Sequence, residues 1–197
     1  MHFDLLFSKD FYRVYNCSQF TDDDWTELGS PSLPLAIVIL SVAWSLAVPY
    51  TLCLIVIFHS DLYKYSGYKV MFYVGIHDIW CLVGVGTLTA YYSYAGALAC
   101  PTVEVKYVLG VLMNGLFCCQ STSYVLLALN RCVEFWKTPI LVDSFEKRKT
   151  YFWMVATSVY SAIFAWFSQA PFFSSLNYMY YFNPYVGVEE FDDGRQN

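Results

Sequence analysis

Charge is scarce in this chain. Of 197 residues, 14% are Asp, Glu, Lys or Arg, where a soluble domain carries about 25%. The deficit argues against an ordinary water-soluble globule and, with no basic face visible, against nucleic acid as a partner. The few acids crowd the tails: Asp4, Asp10, Asp22, Asp23, Asp24 and Glu27 at one end, Glu189, Glu190, Asp192 and Asp193 at the other. The net charge of -5 therefore reports the tails and says little about the middle. Histidine is scarcer still. His2, His59 and His77 fall at different depths, too few and too scattered for a zinc or di-iron cluster. There is no Gly-x-Ser-x-Gly elbow, phosphate loop or dinucleotide fingerprint. Neither enzyme chemistry, nor a metal, nor a cofactor is expected. The amino end also lacks a basic segment, apolar core and cleavage site in succession, so the first apolar run is expected to direct insertion.

What is abundant is apolar surface: 57% hydrophobic residues, 20% aromatic and a mean hydropathy of +0.42. Four long runs carry it, at 34–58, 70–98, 107–130 and 151–170. The first, as a helix, would measure roughly 37 Å against a hydrocarbon core of about 30 Å. Pro49 falls inside it and predicts a kink. The second run groups Tyr91, Tyr92 and Tyr94 near one end, like an interfacial aromatic belt. The third is rich in small and polar residues, including Gly110, Asn114, Gly115, Gln120 and Ser123, which suits a central helix. The expected fold is an all-α integral membrane protein with four transmembrane helices in one 34–170 region. It is flanked by a polar tail at 1–33 and an aromatic, then acidic, tail at 171–197.

Lysines and arginines set the orientation. The first and third connections hold seven of the eleven: Lys64, Lys69, Arg131, Lys137, Lys147, Arg148 and Lys149. By the positive-inside rule these connections are cytoplasmic and both tails lie outside. Asn16-Cys17-Ser18 is a glycosylation sequon, and that topology puts Asn16 on the side where glycan is added. Cys17 and Cys100 are the cysteines expected outside, which makes them one candidate disulfide.

Two places could carry chemistry. Asp78 is the acid inside a run, and a mid-membrane carboxylate costs about 3 kcal/mol on insertion scales. It stands roughly 12 Å above Val70, a height the antiparallel third run reaches near Gln120 to Ser123. A polar cage of Asp78, Gln120 and Ser123 could hold a cation or proton; the plainer reading is a protonated Asp78 bonded to hydroxyls. Arg131 ends the third run. It either snorkels to headgroups or acts as a switch, with Glu134 three residues on and close enough to pair.

The loops bring a resemblance. Ser60-Asp61-Leu62-Tyr63-Lys64-Tyr65-Ser66-Gly67-Tyr68-Lys69-Val70-Met71, followed by Gly75-Ile76-His77-Asp78-Ile79, resembles the first inner loop and second helix of nematode serpentine receptors of class T. Leu127-Ala128-Leu129-Asn130-Arg131-Cys132 with Glu134 is similar to that family's third-helix ending, and Leu46-Ala47-Val48-Pro49 to its first helix. Phe182-Asn183-Pro184-Tyr185 resembles its second outer loop. The likeness covers about residues 40 to 190. It implies the first four helices of a seven-helix G protein-coupled chemoreceptor in the plasma membrane, among lipid, with a small-molecule ligand and a heterotrimeric G protein as partners. On that reading Arg131 faces the G protein, Asn130 stands where an acid is usual, and Glu134 substitutes for it. Pro139 and Ile140 would be presented to the G protein, and Asp78 matches a sodium-binding acid. Four spans against seven would make the chain an incomplete or fragment form. The alternatives from the residues themselves are a four-span transporter or channel subunit and a regulatory membrane partner of full-length receptors.

Overall fold

A computed structural model describes residues 11–18, 20–136, 143–145 and 148–188. Among them, three helices are long and apolar enough to cross a membrane: Leu33–His59, Ser66–Ala95 and Val103–Trp136. In chain order the elements are α1 (Phe11–Val14), α2 (Asp22–Leu28), α3 (Leu33–His59), a 3-10 turn (Asp61–Lys64), α4 (Ser66–Ile79), a π-helical stretch (Trp80–Val85), α5 (Gly86–Ala95), α6 (Val103–Trp136), α7 (Lys149–Phe167), β1 (Phe172–Ser174) and β2 (Met179–Tyr181). The fourth expected span corresponds to α7. Its 19 residues would measure about 28 Å, but it is not one of those three helices. On α3, Ile37, Val38, Val48, Leu52 and Val56 are more than half exposed. Such a surface is costly in water and ordinary against lipid tails.

Three differences from the sequence expectation stand out. The fold is not purely helical, because β1 and β2 form an antiparallel hairpin pairing Phe172 with Tyr181, Phe173 with Tyr180 and Ser174 with Met179. A turn with Tyr178 at φ 53 closes it. The second span is also one continuous 30-residue helix whose middle widens to π geometry at Trp80–Val85. α6 is longer than expected, 34 residues, extending past both ends of the apolar run.

The chain divides into two compact units. Unit 1 comprises residues 1–42, 86–114 and 165–197. Here the described part of the acidic amino-terminal tail, from Phe11 on, is folded. Thr21 and Asp24 form a capping box, with Asp24 N–H donating to Thr21 Oγ1 at 3.3 Å and Thr21 N–H to Asp24 Oδ2 at 2.9 Å. The Thr21 hydroxyl, donating to Asp24 Oδ2 at 2.7 Å, and then the Thr21 backbone N–H hold the Asp24 carboxyl below its usual range. Trp25, on α2, is buried and its indole N–H is 3.2 Å from the Cys17 carbonyl. Phe11 and Tyr15 pack with Tyr107, Val111 and Phe172 into one core. The structure joins Cys17 to Cys100, with Cα atoms 5.8 Å apart.

Burial, with Tyr107 and Tyr185 beside it, pushes the Tyr15 phenol from 10.0 up to about 12. A raised folded value means that this stabilisation is whole below pH 10 and is lost as pH climbs through about 12. Trp fluorescence should therefore report unit 1 loosening across that window, and Tyr15→Phe should blunt the transition. An unchanged transition would show that another group drives it.

Unit 2 comprises residues 43–85 and 115–164. Its core is Val70, Val74, Leu126, Val133, Phe145 and Met154. Gly75 lets α4 meet α3 closely, since a Cβ there would lie 2.5 Å from Leu54 Cδ2. Pro49 sits within α3, which runs unbroken through it. Both candidate sites lie in this unit.

Candidate functional site

The first cluster surrounds Asp78, on the last turn of α4 just before the π stretch. Its Oδ1 accepts from Gln120 Nε2 at 2.7 Å and from the Tyr124 hydroxyl at 2.5 Å. Its Oδ2 accepts from the Tyr50 hydroxyl at 2.6 Å. Three helices, α3, α4 and α6, thus converge on one carboxylate. Cys81, one residue into the π stretch, donates to Gln120 Oε1 at 3.2 Å and so orients the amide. A carboxylate has about four lone-pair sites, so one is left on Oδ2.

The expected partners are only partly those found. Asp78 and Gln120 meet, but Ser123 does not join them. Its hydroxyl is buried and donates to the Cys119 carbonyl of its own helix at 2.5 Å. In an apolar helix that local bond is the cheapest way to satisfy a serine. Tyr124, one residue on and one helical turn after Gln120, takes the place instead. Tyr50 was not expected at all, though a lone phenol one residue after Pro49 in an apolar run was a usable signal.

The second cluster lies at the end of α6 that leads into the basic connection. Arg131 Nη1 donates to Glu134 Oε2 at 3.1 Å. The Ser66 hydroxyl donates to Glu134 Oε1 at 3.2 Å, and Asn130 Nδ2 donates to Ser66 Oγ at 3.2 Å. The Arg131 guanidinium lies 5.6 Å from the Tyr68 ring centroid. The relay Asn130–Ser66–Glu134–Arg131 therefore ties the start of α4 to the end of α6. Asn130 is fully buried, and its Oδ1 has no hydrogen-bond partner among the described residues. Pro139 and Ile140 lie outside the described residues.

Gly67 makes this contact. A Cβ on it would come within 2.8 Å of Arg131 Nη1 and 2.9 Å of Asn130 Oδ1. The arginine tip can swing away, but the buried amide cannot do so freely. Gly67→Val should therefore cost about 1–3 kcal/mol by overpacking, lowering the melting temperature by roughly 2–10 °C. A melting curve matching the parent's would mean that α4 yields there without penalty.

His77 is not isolated. Its Nδ1 lies 2.8 Å from the Tyr73 carbonyl and its Nε2 lies 3.2 Å from Cys119 Sγ. The Tyr73 hydroxyl reaches Ser158 Oγ at 2.6 Å and the Met154 carbonyl at 3.1 Å. These are satisfied polar contacts joining α4, α6 and α7. No group of three or more His, Cys, Asp or Glu side chains placed to hold a metal occurs among the described residues. Asn16 is exposed, and its Oδ1 accepts from the Ser18 amide at 3.0 Å and the Ser18 hydroxyl at 2.7 Å, a local turn of the sequon on itself.

Comparison with known proteins gives one result. The family model for the serpentine-type seven-transmembrane G protein-coupled chemoreceptor Srt matches residues 2–193. No curated protein and no solved structure matches the chain. With the match running over nearly its whole length, the chain belongs to the Srt family of serpentine seven-transmembrane chemoreceptors.

Proposed function

We propose that this chain forms helices one to four of a plasma-membrane chemosensory receptor, with its amino terminus outside and α7 as the fourth span. The observation that carries the reading is the Arg131 relay. In it Glu134 holds the guanidinium at 3.1 Å and is itself held by Ser66 of the neighbouring helix. Asn130, where an acid is usual, cannot make that ion pair, so the restraint passes to Glu134. The unpartnered Asn130 Oδ1 is a cost of the resting arrangement that a shift of α4 relieves. Release of Arg131, already exposed at the end of α6, then frees its guanidinium to engage a heterotrimeric G protein together with Pro139 and Ile140. Signalling also needs helices five to seven, whether from the same polypeptide or from a partner.

The test uses membranes holding this chain alone and together with a co-expressed fragment carrying helices five to seven of an Srt receptor. Glu134→Gln should raise ligand-free nucleotide exchange on added G protein in the paired sample, and Arg131→Ala should abolish it. Exchange at background level in every sample would rule the reading out. A transporter or channel reading draws less support, because three protein donors already occupy the Asp78 carboxylate.

Orientation has its own test. Glycosidase treatment should increase the gel mobility of the expressed protein, and Asn16→Gln should give the faster band without treatment. An Asn16→Gln protein migrating with the untreated parent would remove the support for an outside amino terminus.

A further inference from the structure

Unit 1 contains a cavity of about 350 Å³ that neither the Asp78 cage nor the Arg131 relay touches. That volume sits at the small end of the range for small-molecule sites, about 300–1,000 Å³. Its walls are largely apolar and aromatic, with Trp25, Leu88 and Tyr91 among them. Among the described residues, Lys106 is the one charged residue in the lining. Its ammonium donates to the Leu98 and Pro101 carbonyls, each at 2.7 Å.

Those two partners are neutral, and an ammonium has three hydrogens to give. No carboxylate pairs with Lys106 among the described residues. The nearby Glu104 instead accepts from the Tyr12 hydroxyl at 2.8 Å. A partly desolvated cation held only by neutral oxygens gains most from an anion, because charge-assisted hydrogen bonds are about twice as strong as neutral ones. The backbone supports a built site. Thr102 lines the cavity and is held at φ 63, where β-branched residues are rare. Its carbonyl accepts the Lys106 backbone N–H at 3.2 Å. Such conformations persist where the surroundings over-determine them, and they gather at binding sites.

We infer that this cavity binds a small organic carboxylate, its anion paired with Lys106 and its apolar or single-ring body against Trp25, Leu88 and Tyr91. The inference names a ligand class for the receptor reading above and rests on that reading for its purpose. The carboxylate comes either from water, as a short or aromatic acid, or from the bilayer, as a fatty acid. The cavity volume favours the first.

The experiment is calorimetric titration of the full chain in phosphatidylcholine nanodiscs, without G protein. Phenylacetate should bind about tenfold or more tighter than phenylacetamide, which has the same shape but no charge. Lys106→Met should erase that preference and Lys106→Arg should keep most of it. Intact Cys17–Cys100 pairing, checked by non-reducing digestion, shows that unit 1 still folds. If Lys106→Met does not fold, the acid-to-amide ratio in the parent and in Lys106→Arg decides. Hexanoate binding more tightly than oleate, after correction for bilayer partitioning, identifies a water-borne acid; the reverse identifies a lipid-derived one. Equal affinity for acid and amide, no binding of any acid, or a preference untouched by Lys106→Met overturns the inference. Acid binding without G protein exchange would leave the cavity standing and sink only the receptor role. Exchange without an acid preference would do the opposite.

Discussion

Replacing both Cys17 and Cys100 with serine is expected to cost unit 1 about 4 kcal/mol. The bridge closes a loop of sequence separation 83, and on the chain-entropy account a loop of that length stabilises by between 4 and 5 kcal/mol, within the roughly 2–5 kcal/mol lost when small secreted domains lose native disulfides. The local packing explains why little would compensate. Cys100 is buried in a cluster with Trp25, Leu98, Tyr185 and Val188, and Cys17 packs against both that cluster and the Phe11–Tyr107 core. The tail from Phe11 to Leu28 is joined to the rest of unit 1 chiefly by these contacts and by the bridge. The double variant should show early loss of the Trp25 environment on heating, and faster proteolysis between α1 and α3. The parent under reducing conditions should behave the same way. If the variant melts with the parent, apolar packing alone holds the tail, and the covalent link is redundant.

How much of this could be read from the residues varies with the kind of question. Height along a helix follows from a fixed rise per residue, which is why Asp78 and Gln120 could be matched across two antiparallel runs. Azimuth does not follow, because it depends on how each helix is rotated in the bundle. Ser123 and Tyr124 differ by one residue and about 100°, and the height argument cannot choose between them. The π stretch at Trp80–Val85 adds to the difficulty, since it shifts the register of every later side chain and no residue type announces it. The amino-terminal tail was misleading for a different reason. Its acids dominate its charge, yet Phe11 and Tyr15 stand four apart and reach one core together. Paired aromatics at helical spacing were the better guide there. The hairpin was hidden because strands of three residues in an aromatic stretch carry too short an alternation to distinguish from loop.

The Asp78 cluster should be the most sensitive point of unit 2. Asp78→Ala would leave the Tyr50 hydroxyl, the Gln120 amide and the Tyr124 hydroxyl without their acceptor. A buried donor left unmade costs about 1–3 kcal/mol, and lipid offers no water to replace the carboxylate. Tyr124 is 47% exposed and can turn away at lower cost, so the total should be about 3–5 kcal/mol. That is a fall in melting temperature on the order of 10 °C for a chain of this size. Asp78→Asn keeps the volume and one acceptor oxygen but turns an amide N–H₂ toward a donor, so its cost should be smaller, about 1–3 kcal/mol. Ser123→Ala loses only a bond within its own helix and should be nearly neutral. The order Ala, then Asn, then the Ser123 variant is what distinguishes a three-helix joint from a general loss of polarity. Sodium in place of choline should barely shift the parent's melting temperature, because protein donors already fill three of the four acceptor positions on the carboxylate. A large sodium shift that disappears in Asp78→Asn would instead show that a cation displaces one of the tyrosines, and the joint would then be an ion site.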